Sequence, residues 1–357
     1  MALKNKNRKT LIQVIIFLGL GLALIYWQYT SMNAGDLKKM QDSITAVNWW
    51  WLIPIVIVGF LSHYYRALRW RVLLAPLDIH PGKTNTILAV LIGYLTNSLI
   101  PRAGEIAKCT VLAKYEGAAA EKLIGTIVAE RAFDLLCLLL LAGITLLVQY
   151  EVIYPYVQEL FDLITQKLFT TETGNIAWGK YVLLGIGVLV ISIVVILIFK
   201  GSRKSKAGNI MAGIGAGLKA IGHIQQKTRF FAYTFGIWFC YTFILNMAFW
   251  AMPALSEVPL LASLSIVVFG SVAMIVTPGG IGAYPPVVAG ILWAYGISFP
   301  EGNAFGWLSW MVQTGMILSM GMAAVIILPI YNRKKNEQQI KTIEPKDSKQ
   351  PHVDSTL

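Results

Sequence analysis

Charge is what this sequence has least of. Only 13% of its 357 residues are Asp, Glu, Lys or Arg, about half the roughly 25% typical of soluble domains. That shortage excludes an ordinary soluble enzyme, and a hydrophobic content of 56% excludes a disordered chain. Cysteine is also sparse. Cys109, Cys137 and Cys240 lie far apart, inside or beside apolar runs, which suits packing residues and excludes a disulfide scaffold. His63, His80, His223 and His352 are scattered without metal-ligand spacing, so no metal is expected. P-loop and Rossmann glycine patterns are missing too, and no cofactor is expected. What the sequence has in abundance is apolar runs, separated by short basic blocks. The net charge of +12 therefore reads as membrane orientation, with no nucleic-acid partner expected.

The long runs are Leu11–Gln28, Trp49–Leu68, Leu123–Val148, Lys180–Phe199, Phe230–Met252 and Ala304–Tyr331. Each is long enough to cross a hydrocarbon core of about 30 Å. The first is too long for a secretory signal and lacks small residues at its end, so it reads as a retained span. Two further stretches are interrupted. Thr86–Ile100 breaks at Pro101-Arg102-Ala103-Gly104-Glu105, and Pro259–Thr277 breaks at Pro278-Gly279-Gly280-Ile281-Gly282 before Pro285–Ile297.

Charge decides how the broken stretches run. If Thr86–Ile100 crossed completely, segment 200–229, with seven Lys/Arg and no acid, would fall outside. Segment 149–178, with one Lys and four acids, would fall inside. Both violate the positive-inside rule. If 86–117 instead enters and returns, cytoplasmic segments hold 24 Lys/Arg and external ones three. The expected fold is thus an all-α integral membrane protein. It has six full spans plus two re-entrant helical hairpins, arranged as an inverted repeat. Residues 1–331 form one membrane domain with halves 11–148 and 180–331, and 332–357 form a disordered tail. Both termini are expected in the cytoplasm and the protein in the cell's inner (plasma) membrane. Ile210, Ile214, Leu218, Ile221 and Ile224 recur at helical spacing with a basic fringe, suited to an anionic leaflet or to packing on the bundle.

Irregular backbone at membrane depth persists only where protein or a watery cavity satisfies it. Both Pro/Gly breaks therefore point to a cavity, with Pro278, Gly279, Gly280 and Gly282 offering backbone donors; close helix packing is the alternative. Arg102 offers a planar fork for a phosphate. Asn97 lies nearby, and Glu105 suits either a pair with Arg102 or an amine headgroup. Glu130, Arg131 and Asp134 sit eight to twelve residues into an apolar run. Charges at that depth usually line a polar pathway. They also suit a buried salt-bridge cluster with Arg102 or Arg66 across the bundle. Arg66, Arg69 and Arg71, beside Trp70, read as a cytoplasmic anchor, and Trp49–Trp51 as an external interface belt.

Three segments together carry a resemblance: Asn97-Ser98-Leu99-Ile100-Pro101-Arg102-Ala103-Gly104-Glu105, Glu130-Arg131-Ala132-Phe133-Asp134, and Thr277-Pro278-Gly279-Gly280-Ile281-Gly282. In order and separation they resemble the lysylphosphatidylglycerol synthase transmembrane (flippase-like) family, over about residues 8–331. The resemblance implies the membrane half of multiple peptide resistance factors, associated with moving aminoacylated phosphatidylglycerol between leaflets. It does not imply the synthase activity. Some relatives are linked to polyprenyl-phosphate sugar transfer. Many relatives carry an acid soon after the Pro-Gly-Gly turn, where this chain has Tyr284-Pro285-Pro286; the resemblance therefore does not extend to cation recognition by that acid. The expected function is a lipid translocase or lipid-binding protein that moves an anionic or zwitterionic phospholipid, aminoacylated ones included, or a lipid-linked headgroup between leaflets. The alternatives are a polyprenyl-phosphate-dependent glycosyl transfer enzyme and a structural partner of a separate membrane enzyme. A homo-oligomer is compatible with each.

Overall fold

A computed structural model describes residues 32–100, 103–152 and 224–343, together with 19, 21–23, 25–26, 28–30, 154 and 158. The expected span at 180–199 and the amphipathic stretch at 210–223 lie outside the described residues, as does most of the span at 11–28. Among the described residues the secondary structure is helical, with no strand. The helices are α1 (Ala34–Thr45), α2 (Leu52–Leu74), α3 (Lys83–Leu99), α4 (Gly104–Glu116), α5 (Ala120–Val148), α6 (Lys227–Ala251), α7 (Ala262–Val276), α8 (Tyr284–Trp293) and α9 (Phe299–Ile343).

Among the described residues, four helical segments are long and apolar enough to cross a membrane: Trp49–Leu77, Ala120–Val148, Lys227–Ala251 and Phe299–Lys335. They contain α2, α5, α6 and most of α9, where the sequence places four of its runs. Many of their large apolar side chains stay exposed, among them Ile57, Leu140, Phe235 and Ile326. In water such a surface would be an aggregation hazard; in hydrocarbon it is the expected exterior. The chain is an integral membrane protein.

The interrupted stretches each fold as an antiparallel helical pair. In α3–α4, Asn85 bonds Glu116 near the open end. Gly93 faces Gly104 and Lys108 further along, and Asn97 meets Gly104 at the tip. Gly104 has to be glycine here, since a Cβ on it would lie 2.1 Å from the Gly93 carbonyl oxygen. In α7–α8, Ser265 reaches Tyr295 near the open end, while Gly270 lies against the Tyr284 ring. The turn between them uses Gly279, Gly280 and Gly282 at positive φ, a region costly for other residues.

Helix α9 serves as a ruler for both pairs. Asn332 bonds Asn85 and Gly321 packs on Leu95. Towards the other end, Trp310 bonds the Gly279 carbonyl, and Gly306 and Gly302 pack on Pro285 and Ala289. The two hairpins thus lie along α9 from opposite ends, with their tips towards its middle. Helices α2 and α6 are also antiparallel: Asn48 bonds the Ala251 carbonyl, Gly59 nears Ile244, and Gly236 packs on Tyr65. Two of the apolar cores surround the hairpins. One gathers Trp70, Leu74, Val90, Leu112, Leu123 and Phe230 around the first hairpin. The other gathers Phe249, Leu255, Ile266, Val288, Leu292 and Phe305 around the second.

Two expectations change. Helix α9 continues to Ile343, so the first part of the expected disordered tail is helical. Asn332 explains this locally: it is buried and bonded to Asn85 and to the Leu328 carbonyl, and Arg333 pairs with Glu337 one turn on. Arg66 and Arg69 are not interface anchors either. They are 6% and 0% exposed and face the bundle interior, because their partners lie on α5.

Candidate functional site

The charges predicted at depth converge on cations from two other helices. On α5, Glu130 and Asp134 are one turn apart and share a face. On α2, Arg66 and Arg69 are three apart and do the same. Arg66 lies 2.8 Å from Asp134 and 3.3 Å from Glu130. Arg69 lies 2.7 Å from Asp134 and 3.4 Å from Glu130. Lys108, projecting from α4, closes the set at 2.7 Å from Glu130. Its ammonium also sits 4.5 Å from the centre of the Trp70 ring. Glu130 is fully buried, and Asp134 retains 15% side-chain exposure. A separate, more exposed pair joins Arg131 to Glu105 at 3.5 Å.

Burying charges is expensive unless they are paired and hydrogen-bonded. Among the described residues the pairing leaves one cation over: Arg66, Arg69 and Lys108 face Glu130 and Asp134. The Arg131–Glu105 pair does not alter that surplus. Hydrogen bonding is incomplete as well. Arg66 Nε, Arg69 Nε and Nη1, and His63 Nδ1 are buried without a hydrogen-bond partner. Arg66 Nη2 does donate to the Tyr241 hydroxyl at 3.0 Å.

Beside this cluster lies a cavity of about 520 Å³, within the usual size of a ligand site. Its polar end is formed by His63, Arg66, Tyr94, Arg131, Asp134 and Tyr241. From there it passes between Ile55, Ile244, Leu308 and Met316 towards Asn48, Trp49 and Leu52. On α2 the lining runs from Leu52 to Arg66, about 21 Å at 1.5 Å per residue. The site is a long, largely apolar cavity with charged side chains at one end.

The residues singled out from sequence divide around it. Arg131, Asp134 and Tyr284 line the cavity. Glu130 lies behind the wall, held by Lys108 and both arginines. Asn97 and Glu105 line a small adjoining crevice with Arg66, Lys108 and Arg131. Gly279, Gly280 and Gly282 are absent from the cavity lining; the Gly279 and Gly282 carbonyls accept from Trp310 and Gln28, each at 2.7 Å. Pro278 belongs to the same turn, and Arg102 lies outside the described residues. His63, Tyr94, Tyr241 and the inward role of Arg69 were not singled out from sequence. A signal for them existed: His63, Arg66 and Arg69 recur every three residues in an apolar helix, which puts them on one face. Chemically, the carboxylates act as counter-ions, while the cavity presents guanidinium groups that suit an anion.

The Lysylphosphatidylglycerol synthase TM region family matches residues 11–321. This chain belongs to that family. A UPF0104 membrane protein of Methanothermobacter thermautotrophicus is 26% identical over 112 residues, 30% of this chain. The match spans 33% of that relative's own length. No solved structure matches the chain.

Proposed function

We propose that this family member is a flippase-like lipid translocase or lipid-binding protein of the inner (plasma) membrane. Its cargo is an anionic or zwitterionic phospholipid or a lipid-linked headgroup. The observation that carries the reading is the cavity: largely apolar along its length, reaching Asn48 and Trp49, and lined at the other end by Arg66 and Arg131 beside a buried surplus of positive charge. A headgroup phosphate takes two donors from a guanidinium, while the acyl chains remain in lipid or follow the apolar wall.

In this reading the two hairpins dip into the bilayer from opposite faces and their tips meet near its middle. Six spans and two re-entrant hairpins then form an inverted repeat with both termini in the cytoplasm. The Trp49 end of the cavity opens to the outer leaflet. Movement of the headgroup needs a second state in which the charged end opens the other way, and the hairpin tips are the elements placed to change.

Reconstitution into liposomes tests this. The protein is expected to accelerate exchange of labelled phospholipid between leaflets, and Arg66→Gln is expected to slow it. No acceleration with any anionic or zwitterionic headgroup, from folded protein, refutes the proposal.

A further inference from the structure

We propose that the seam between α5 and α7, beside Arg131, is a side opening through which the acyl chains of the carried lipid stay in the bilayer. This rests on the lipid-carrying reading above and adds the path of the tails to that of the headgroup.

The first argument is size. A cavity of about 520 Å³ suits a ligand of drug-like size. That is room for a headgroup and its glycerol, not for two long acyl chains as well. The chains of a lipid bound here therefore lie outside, and the wall they cross has to be open and apolar.

The second argument is where such a wall lies. Among the described residues, four apolar side chains both line the cavity and are exposed: Trp49 and Leu52 at one end, and Leu135 and Ile275 between α5 and α7. Leu135 is 38% exposed and Ile275 71%. Arg131 stands one turn before Leu135 on the same face of α5. Its side chain lines the cavity, is 48% exposed and meets Glu105 through Nε at 3.5 Å. Unlike the buried Arg66 and Arg69, it presents an accessible guanidinium to a headgroup phosphate. A cation beside exposed apolar lining matches the junction of phosphate and acyl chains in a phospholipid. A headgroup carried to mid-depth has its chains lying in the plane of the membrane, and an opening beside Arg131 leaves them there. The Leu52 end does not serve such a lipid, because it lies about 21 Å along α2 from the polar end.

The third argument is how the seam is held. Gln149, just past α5, donates through Nε2 to the Leu261 carbonyl at 2.7 Å. Its Oε1 accepts from the hydroxyls of Ser265 and Tyr295. Among the described residues, no hydrogen bond or ion pair joins α5 to the second hairpin nearer to Arg131 than this tie. Between the tie and Arg131 the α7 side offers Val267, Gly270, Ser271 and Met274. The Ser271 hydroxyl donates back to the Val267 carbonyl. A chain lying along these residues covers no unpaired side-chain polar group.

The experiment uses the full chain in phosphatidylcholine liposomes and follows exchange of labelled phosphatidylglycerol between leaflets. Ile275→Trp together with Leu135→Trp narrows the opening and is expected to slow exchange about tenfold. Ile326→Trp, at an exposed residue of α9 absent from the cavity lining, is expected to leave it unchanged. Ile275→Trp alone serves if the double variant does not fold, with a slowing of about threefold or more. Photoreactive benzoylphenylalanine in place of Ile275 reads the occupant, and an adduct with the acyl chains is expected. Unaltered exchange in the tryptophan variants overturns the side opening and leaves the lipid-carrying reading standing. An adduct with another segment of this chain overturns it as well, because the seam is then covered. No exchange by the unsubstituted, folded protein overturns both.

Discussion

The two helical hairpins solve one problem with different chemistry. Each must pack two antiparallel helices closely against the rest of the bundle. The α3–α4 pair crosses by direct contact of Gly93 with Gly104 and is then fastened by charge: Lys108 to Glu130, Glu105 to Arg131, and Glu116 to Asn85. The α7–α8 pair has no charged residue in either helix. It is fastened by apolar packing of Ile266, Val288 and Leu292, by close approach of Gly302 and Gly306 to α8, and by Trp310 and Gln28 donating to the carbonyls of its turn. In the second hairpin, two carbonyls of the irregular turn, those of Gly279 and Gly282, are hydrogen-bonded. The first contributes Tyr94 to the cavity and carries Glu105 and Lys108 in the adjoining crevice, whereas the second contributes a wall without charged residues. Similar architecture therefore does not imply equivalent roles for the halves.

This contrast can be broken at several points. The largest effect is expected at the charge fastening. Glu130→Gln leaves Arg66, Arg69 and Lys108 facing one carboxylate, a loss of about 3–5 kcal/mol. Thermal unfolding of the protein in detergent reads it. An unchanged midpoint would mean that water or an unseen anion already balances the cluster. The glycine contacts come next. Gly104→Ala drives a methyl to 2.1 Å from the Gly93 carbonyl, and Gly306→Ala drives one to 2.6 Å from Pro285 Cα. Each overpacks backbone against backbone and is expected to cost about 1–3 kcal/mol. If Gly104→Ala unfolds at the wild-type temperature while Gly306→Ala does not, only the second crossing is tight. The smallest effect is expected at the neutral fastening. Trp310→Phe removes the hydrogen bond to Gly279, worth about 1 kcal/mol. Hydrogen exchange at 278–282 should rise in that variant with the first hairpin unaffected. A rise at 100–105 as well would show that the tips move together.

The legible part of the site lay on α5. Glu130 and Asp134 stand out because charges in an apolar helix are conspicuous whatever surrounds them. Arg66 and Arg69 were less legible because they fall near the basic end of their run, where Lys and Arg ordinarily mark an interface. Tyr94 and Tyr241 carry no local signal, since an aromatic residue in an apolar helix is the commonest kind of packing residue.

By itself the sequence determined the membrane class, the positions of four described spans, the two Pro/Gly breaks and the depth of the α5 charges. Hydropathy, helix breaking and charge are local properties, written in neighbouring residues. Only the tertiary structure decided that α2 supplies the partners of α5, that Lys108 leaves a positive charge over, and that Tyr284, not the glycines before it, lines the cavity wall. Those facts depend on how helices far apart in the chain rotate and cross. Side-chain packing at each crossing sets that geometry, and no window of sequence contains it.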